Sequence, residues 1–253
     1  MRILILGGTT EARQLAGRLA TRAGLNVTLS LAGRTAEPAA QPVPVRTGGF
    51  GGAEGLADYL RDEKIDALID ATHPYAATIS ANATAAALRT GVPLMALRRA
   101  GWEPVPGDRW IDVDHMTHAV QALGPTSRRV FLALGRKEIA PFETAPQHHY
   151  LVRSVDPVEP PLNVPAAVYV TARGPFAEDS ERALLEEHGI DVIVAKNSGG
   201  AAAYGKIAAA RALALPVIML RRPPLPEVTA VATVDEAVGW LDHSAALATA
   251  RGV

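Results

Sequence analysis

The first stretch able to do chemistry is Gly7-Gly8-Thr9-Thr10-Glu11-Ala12, directly after the apolar run Ile3-Leu4-Ile5-Leu6. Glycines lack Cβ, so the backbone can turn sharply there and come close to a ligand. A helix starting at this point aims free N–H groups and a positive dipole end at a phosphate, with Thr9, Thr10 and Glu11 in the same turn. The spacing is not G-x-G-x-x-G, because Thr9 and Ala12 break it, and a tight strand-to-helix turn is the plainer alternative. NAD-binding folds place an acid about 20 residues after the glycines to hold the ribose 2′-hydroxyl. Here Ser30-Leu31-Ala32-Gly33-Arg34-Thr35 contains no acid. Arg34 could instead fork onto a 2′-phosphate, with Ser30 beside it, which points to NADPH over NADH. A solvated loop arginine is the competing reading.

Two more loops belong with these. Gly48-Gly49-Phe50-Gly51-Gly52 surrounds one aromatic with glycines, so Gly49, Phe50 and Gly51 are candidates for close packing on the cofactor; a surface hairpin is the bland alternative. Asp70-Ala71-Thr72-His73-Pro74-Tyr75 follows a fourth apolar run. Pro74 holds His73 extended and suits the start of a helix. Thr72 is a cofactor candidate, and His73 and Tyr75 are candidate proton donors, although a histidine before a helix is often structural. His148 and His149 are adjacent and would point apart in a strand, so no metal site is expected.

The second half of the chain carries cations at the ends of successive apolar runs. They stand in Gly135-Arg136-Lys137-Glu138, Arg153-Ser154-Val155-Asp156-Pro157 and Arg173-Gly174-Pro175-Phe176. A last polar segment is Lys196-Asn197-Ser198-Gly199-Gly200, with Tyr204 and Lys206 beyond. Solvation explains any one of these residues, but their recurrence implies an anionic ligand. The candidate ligand-binding set is Arg136, Lys137, Arg153, Ser154, Arg173, Lys196, Asn197, Ser198, Gly199, Tyr204 and Lys206.

The elements that must hold these loops alternate. Strands are predicted at 2–6, 26–31, 43–46, 67–71, 93–97, 129–134, 150–154, 167–171, 191–195 and 216–220, and a last one at 228–232. Helices are predicted at 10–23, 54–63, 75–90, 177–188 and 201–213. The strands are continuous apolar runs, which is how strands buried on both faces read, so parallel sheets flanked by helices are expected. The order also repeats: Ile65-Asp66-Ala67-Leu68-Ile69 is echoed by Ile190-Asp191-Val192-Ile193-Val194, and both halves reach a Leu-Arg-Arg, at 97–99 and 220–222. Duplication explains this better than convergence. The expected fold is α/β: two similar doubly wound Rossmann-like halves with parallel sheets and an inter-domain cleft. They are residues 1–124, binding NADPH, and 125–253, contributing the substrate site, with terminal strands free to cross between them.

Composition narrows the class further. The chain has 253 residues, a net charge of −1 and no cysteine. Near-neutral charge argues against a nucleic-acid partner, and the missing cysteine removes disulfides and thiolate chemistry. The apolar start is too short for a signal peptide and no run approaches the ~20 residues of a bilayer span, so a cytoplasmic enzyme is expected.

Taken together, Ile-Leu-Gly-Gly-Thr-Thr-Glu-Ala at 5–12, Asp-Ala-Thr-His-Pro-Tyr-Ala at 70–76 and Leu-Gly-Arg-Lys-Glu at 134–138 resemble the precorrin-6A reductase family. Arg-Ser-Val-Asp-Pro at 153–157, Gly-Pro-Phe at 174–176 and Ala-Lys-Asn-Ser-Gly-Gly at 195–200 extend the match to nearly the whole chain. The resemblance implies NADPH-dependent reduction of a macrocycle double bond in cobalamin biosynthesis, giving precorrin-6B. It also implies a polycarboxylate tetrapyrrole as the partner of the cationic half, and product handover to the next pathway enzyme. The alternatives are the cobalt-precorrin-6A reductase of the anaerobic route and a non-catalytic nucleotide-sensing Rossmann module. A sugar-nucleotide reductase or epimerase is disfavoured, because Tyr204-Gly205-Lys206 is not a Tyr-x-x-x-Lys pair.

Overall fold

The computed structural model describes residues 1–33 and 39–250. The chain divides into two compact units, one of Met1–Ala100 plus the segment from Pro223 onward, the other of Gly101–Arg222. The first unit contains β1 (Arg2–Leu6), α1 (Thr10–Ala20), β2 (Asn26–Leu31), β3 (Val45–Thr47), α2 (Gly52–Asp62), β4 (Ala67–Asp70), α3 (Ala77–Thr90) and β5 (Leu94–Leu97). The second contains β6 (Trp110–Val113), α4 (Met116–Leu123), β7 (Arg129–Ala133), β8 (His149–Ser154), β9 (Ala167–Thr171), α5 (Glu178–Glu187), β10 (Val192–Lys196), α6 (Gly205–Ala212) and β11 (Val217–Leu220). The chain then returns to the first unit with β12 (Ala230–Val231) and α7 (Val234–Ala250).

Each unit is built on a six-stranded sheet, ordered β12-β5-β4-β1-β2-β3 in the first and β6-β11-β10-β7-β8-β9 in the second. Every pairing is parallel. Both follow the doubly wound order in which the chain's direction across the sheet reverses beside the central strand. That strand is β1 in the first sheet and β7 in the second, flanked by β2 and β4 or by β8 and β10.

The continuous apolar runs are explained by burial on both faces. Ile3 and Ile5 pack with Leu15 and Leu19 of α1 and Leu241 of α7. Leu4 and Leu6 pack with Leu56 and Leu60 of α2 and Ala83 and Ala86 of α3. Each such Leu or Ile removed from water contributes roughly 2 kcal/mol. Phe131, Leu151 and Ile193 play the same part against Leu185 of α5 and Ile207 of α6.

The boundary expected at 124/125 is corrected by the sixth strand of each sheet. β6 and α4 belong with the second unit, and β6 pairs with β11 at Trp110↔Val217. β12 pairs with β5 at Ala230↔Ala96. Unpaired strand edges leave backbone groups unsatisfied; here Ala96 N donates to Thr229 O and Arg221 N to Val113 O. The chain therefore crosses at Ala100/Gly101 and again at Arg222/Pro223. Two smaller corrections concern helices. The helix expected from Tyr75 begins at Ala77, after the turn containing Pro74. The one expected over 201–213 is a 3₁₀ turn at Ala201–Ala203 followed by α6. Among the described residues no helix is long and apolar enough to cross a membrane.

Candidate functional site

The loop after β1 is fixed on three sides. Gly7 N donates to Ser30 O at 2.9 Å, which ties the turn to β2. Gly8 has φ +117°, a conformation that only glycine adopts without strain. Thr9 caps α1: its Oγ1 accepts from Ala12 N at 3.1 Å and donates to Ala71 O at 2.8 Å. Its hydroxyl proton therefore joins the β1 and β4 loops and is not offered to a ligand. Thr10 is exposed at the start of α1. The Glu11 carboxylate pairs with Arg99 Nη1 at 2.5 Å.

Ser30 is buried at the end of β2; Arg34 lies outside the described residues. Close by is a cation the sequence reading missed. Arg46 of β3 donates to Gly48 O at 2.6 Å and Gly49 O at 2.8 Å, and reaches Ser30 Oγ at 3.4 Å. Its guanidinium lies 3.7 Å from the centroid of the Phe50 ring. Phe50 therefore packs on Arg46 and edge-on against Tyr59. Gly51, with φ +80°, caps α2. A Cβ at Gly55 would stand 1.8 Å from Phe50 O, so this helical position accepts only glycine. Gly55 inside a helical pattern was the available signal that backbone approaches here.

At β4, Asp70 is buried and accepts from Thr72 N, from Thr72 Oγ1 at 2.7 Å and from Ser80 Oγ at 2.6 Å. The Thr72 hydroxyl thus fixes the loop conformation. His73 Nδ1 accepts from Tyr75 N at 3.3 Å, and the two rings lie 5.6 Å apart. With Nδ1 accepting, the neutral ring carries its proton on Nε2. Thr9, Glu11, Thr72 and His73 line a single pocket of the first unit, together with Arg98 and Arg99. The structure thus joins the β1 and β4 loops at the reversal point and adds two arginines from the end of β5. Ser30, Gly49 and Phe50 do not line that pocket.

In the second unit the expected cations divide. Arg136 and Lys137, after β7, and Arg173, after β9, are exposed. Lys196 Nζ binds both oxygens of Glu138, at 2.8 and 2.7 Å, while Glu138 also accepts from Gly135 N. Arg153 is corrected from a loop cation to a core group. It sits within β8, 7% exposed, and grips Glu181 of α5 with both Nη atoms. Its guanidinium covers Phe176 at 3.7 Å. Lys206 is likewise buried, in α6. Its Nζ donates to Ala203 O at 2.6 Å and lies 4.9 Å from the Trp102 ring centroid. Burial, reinforced by Arg153 and opposed by Glu181, pushes this amine down to about 7.

The remaining polar residues organise the end of β8, the start of α6 and the loop after β10. Ser154 Oγ donates to Asp156 O at 2.5 Å. The Tyr204 hydroxyl accepts from Arg211 at 2.5 Å. Asn197 clamps Trp102, accepting from its N at 2.7 Å and donating to its O at 2.8 Å. Trp102 Nε1 donates to Gly200 O, and Ser198 Oγ turns toward Lys196 O at 3.4 Å. Gly199, at φ +67°, completes the turn. Among the described residues no group of three or more His, Asp or Glu side chains converges as a metal site.

Comparison with known proteins places this arrangement. The family model described as "Precorrin-6x reductase CbiJ/CobK" matches residues 2–242. A Sinorhizobium sp. protein named precorrin-6A reductase is 60% identical over 242 residues, spanning 96% of this chain and 93% of its own length. A protein of the same name from Rhodobacter capsulatus is 52% identical over 253 residues, spanning 100% and 99% of the two chains. A solved structure described as "CobK precorrin-6A reductase" has TM-score 0.92 and 51% identity, covering 96% of this chain and 97% of that one.

Proposed function

This chain belongs to the precorrin-6x reductase family, and from that premise we infer that it reduces one macrocycle double bond of precorrin-6A in cobalamin biosynthesis, with NADPH as the hydride donor. The reaction class follows from the family: an oxidoreductase acting on a CH–CH bond with a hydride-donor cofactor. The single observation that carries the cofactor reading is the pocket at the reversal point of the first sheet. Next to its Thr9 wall, Gly8, at φ +117°, opens the turn into α1, and the space where its Cβ would stand is clear.

The glycine turn and the helix start beyond it suit the diphosphate of a dinucleotide. Gly7, Gly8 and the first turn of α1, with Thr10, would hold the diphosphate, because the leading N–H groups of a helix have no partner within it. Ser30, Arg34, Gly49, Phe50 and Gly51 would hold the adenosine end, with Arg46 fixing that loop. Thr72 and His73 would stand at the nicotinamide end. Bound there, NADPH would supply the hydride, becoming NADP⁺. One carbon of the substrate double bond takes the hydride and its neighbour takes a proton. His73 is the first candidate proton donor; the step needs its imidazolium, so the ring must first take a proton and Nδ1 must release the Tyr75 N–H. Tyr75, beside it, is the second candidate.

The substrate carboxylates would be met by Arg136, Lys137 and Arg173, which the second unit leaves exposed. Lys196, Asn197, Ser198 and Gly199 shape the adjoining loop. Arg153, Ser154, Tyr204 and Lys206 support that frame from beneath. The substrate in this reading is the metal-free macrocycle, as in the names of both relatives. A cytoplasmic location and handover of the product to the next pathway enzyme belong to the same proposal.

The test is turnover. Purified protein mixed with precorrin-6A and NADPH is expected to remove the reduced-nicotinamide absorbance band, and to do so far more slowly with NADH. Oxidation only with cobalt-loaded substrate would reassign the protein to the anaerobic route. No oxidation with either would overturn the proposal.

A further inference from the structure

Glu11 presents a difficulty for the cofactor site just described. Its carboxylate stands in the first turn of α1, where the helix dipole stabilises negative charge. A diphosphate needs that same position. The neighbouring carboxylate of the pocket, Asp70, is already satisfied by Thr72 and Ser80. Glu11 has no such set of neutral donors. Its partner is Arg99, two residues beyond β5, at 2.5 Å, with both side chains about four-fifths removed from solvent (18% and 21% exposed).

Arg99 belongs to the Leu-Arg-Arg that recurs at 97–99 and 220–222. Both copies behave alike. The first arginine holds the crossing segment in its own unit: Arg98 Nη1 donates to Pro226 O, and Arg221 pairs with Asp112 and Asp114 around β6. The second arginine turns to a ligand loop: Arg99 to Glu11, and Arg222 Nε to Asn197 O. Arg98, which also lines the pocket, keeps a buried Nε with no hydrogen-bond partner among the described residues.

We propose that Arg99 is a positioning residue for the dinucleotide: by neutralising Glu11 it removes a charge that would repel a diphosphate from the start of α1. The inference rests on the cofactor reading above. Arg99 acts through Glu11, so its effect must vanish when Glu11 carries no charge. A guanidinium that gripped the phosphate itself would be missed whether or not Glu11 were charged. The carboxylate is retained because, paired, it anchors Arg99 and the end of β5 to the loop.

The experiment is an NADPH titration of the full-length protein, followed by nicotinamide fluorescence, with steady-state kinetics alongside. Arg99→Ala is expected to raise the Kd and KM for NADPH about tenfold or more, while kcat holds. Arg99→Lys recovers most of that loss, because an ammonium also neutralises Glu11. Adding Glu11→Gln to Arg99→Ala restores the Kd to within about threefold of the unmutated value, and Glu11→Gln alone tightens binding. A double variant as weak as Arg99→Ala would mean that Arg99 grips the ligand directly, and would overturn the inference. So would an unchanged Kd in Arg99→Ala. If the unmutated protein binds no NADPH, the cofactor reading itself falls; failure confined to the variants overturns the Arg99 role alone.

Discussion

Arg46 holds the glycine loop of the first unit with a geometry that a lysine cannot reproduce. Its fork donates to two successive carbonyls, Gly48 O and Gly49 O, while its face covers Phe50. Arg46→Lys is therefore expected to raise the KM for NADPH about five- to tenfold with little change in kcat, measured by initial rates. A fall in kcat at unchanged KM would mean that the loop serves the chemistry. His73 carries the opposite expectation: His73→Ala lowers kcat by about a hundredfold while the NADPH Kd stays near its unmutated value. Turnover within a few-fold of normal would remove it as the proton source. At this scale the sequence was informative about glycines and uninformative about partners. Gly8 and Gly51 stand at positive φ as their types require. That Thr9, Thr72 and Lys196 are engaged by Ala71, Asp70 and Glu138 was not legible, because those partners lie at least 58 positions away or share the loop.

At the scale of elements, α6 carries a charge that the fold disfavours. Burial holds the Lys206 amine near 7 instead of 10.5. Between those values the unfolded chain binds a proton that the folded protein does not, so stability rises as pH climbs from about 7 toward 10.5. Below about 7 both states are protonated and the full penalty remains. Urea denaturation at the two ends of that window is expected to show a gain in the unmutated protein and a smaller one in Lys206→Met. Equal gains would contradict it. The helix itself was legible from its Ala-rich pattern; the buried lysine was not. In the sequence Arg153 stands at the end of an apolar run much as Arg136 and Arg173 do, and only packing separates core cations from loop cations. Arg153 has Glu181 and Phe176 over it, whereas Arg136 and Arg173 are exposed.

For the whole molecule, the exchanged sixth strands make the two units unequal in sequence continuity. The second unit is one unbroken stretch, Gly101–Arg222, whereas the first needs both ends of the chain. A fragment of residues 101–222 is expected to unfold cooperatively by itself. A fragment of residues 1–100 is not, because it lacks β12 along β5 and Ala237 and Leu241 in its core. Calorimetry of the two fragments checks this, and cooperative melting of 1–100 would refute it. The repeat and the parallel sheets were readable from apolar runs and echoed segments; the order of strands within each sheet was not, and β6 at Trp110–Val113 was missed. The crossing was not readable either, because both edges, β5 and β11, end in the same Leu-Arg-Arg and offer a returning strand the same welcome.

The central claim is that hydride passes from NADPH to the precorrin-6A macrocycle on this chain. Its most direct test uses NADPH deuterated at the transferable position and mass spectrometry of the tetrapyrrole product. The account predicts a dihydro product carrying a single deuterium on the macrocycle, formed only when protein, precorrin-6A and labelled cofactor are all present. A recovered tetrapyrrole that is unreduced, or reduced without the label, would contradict it.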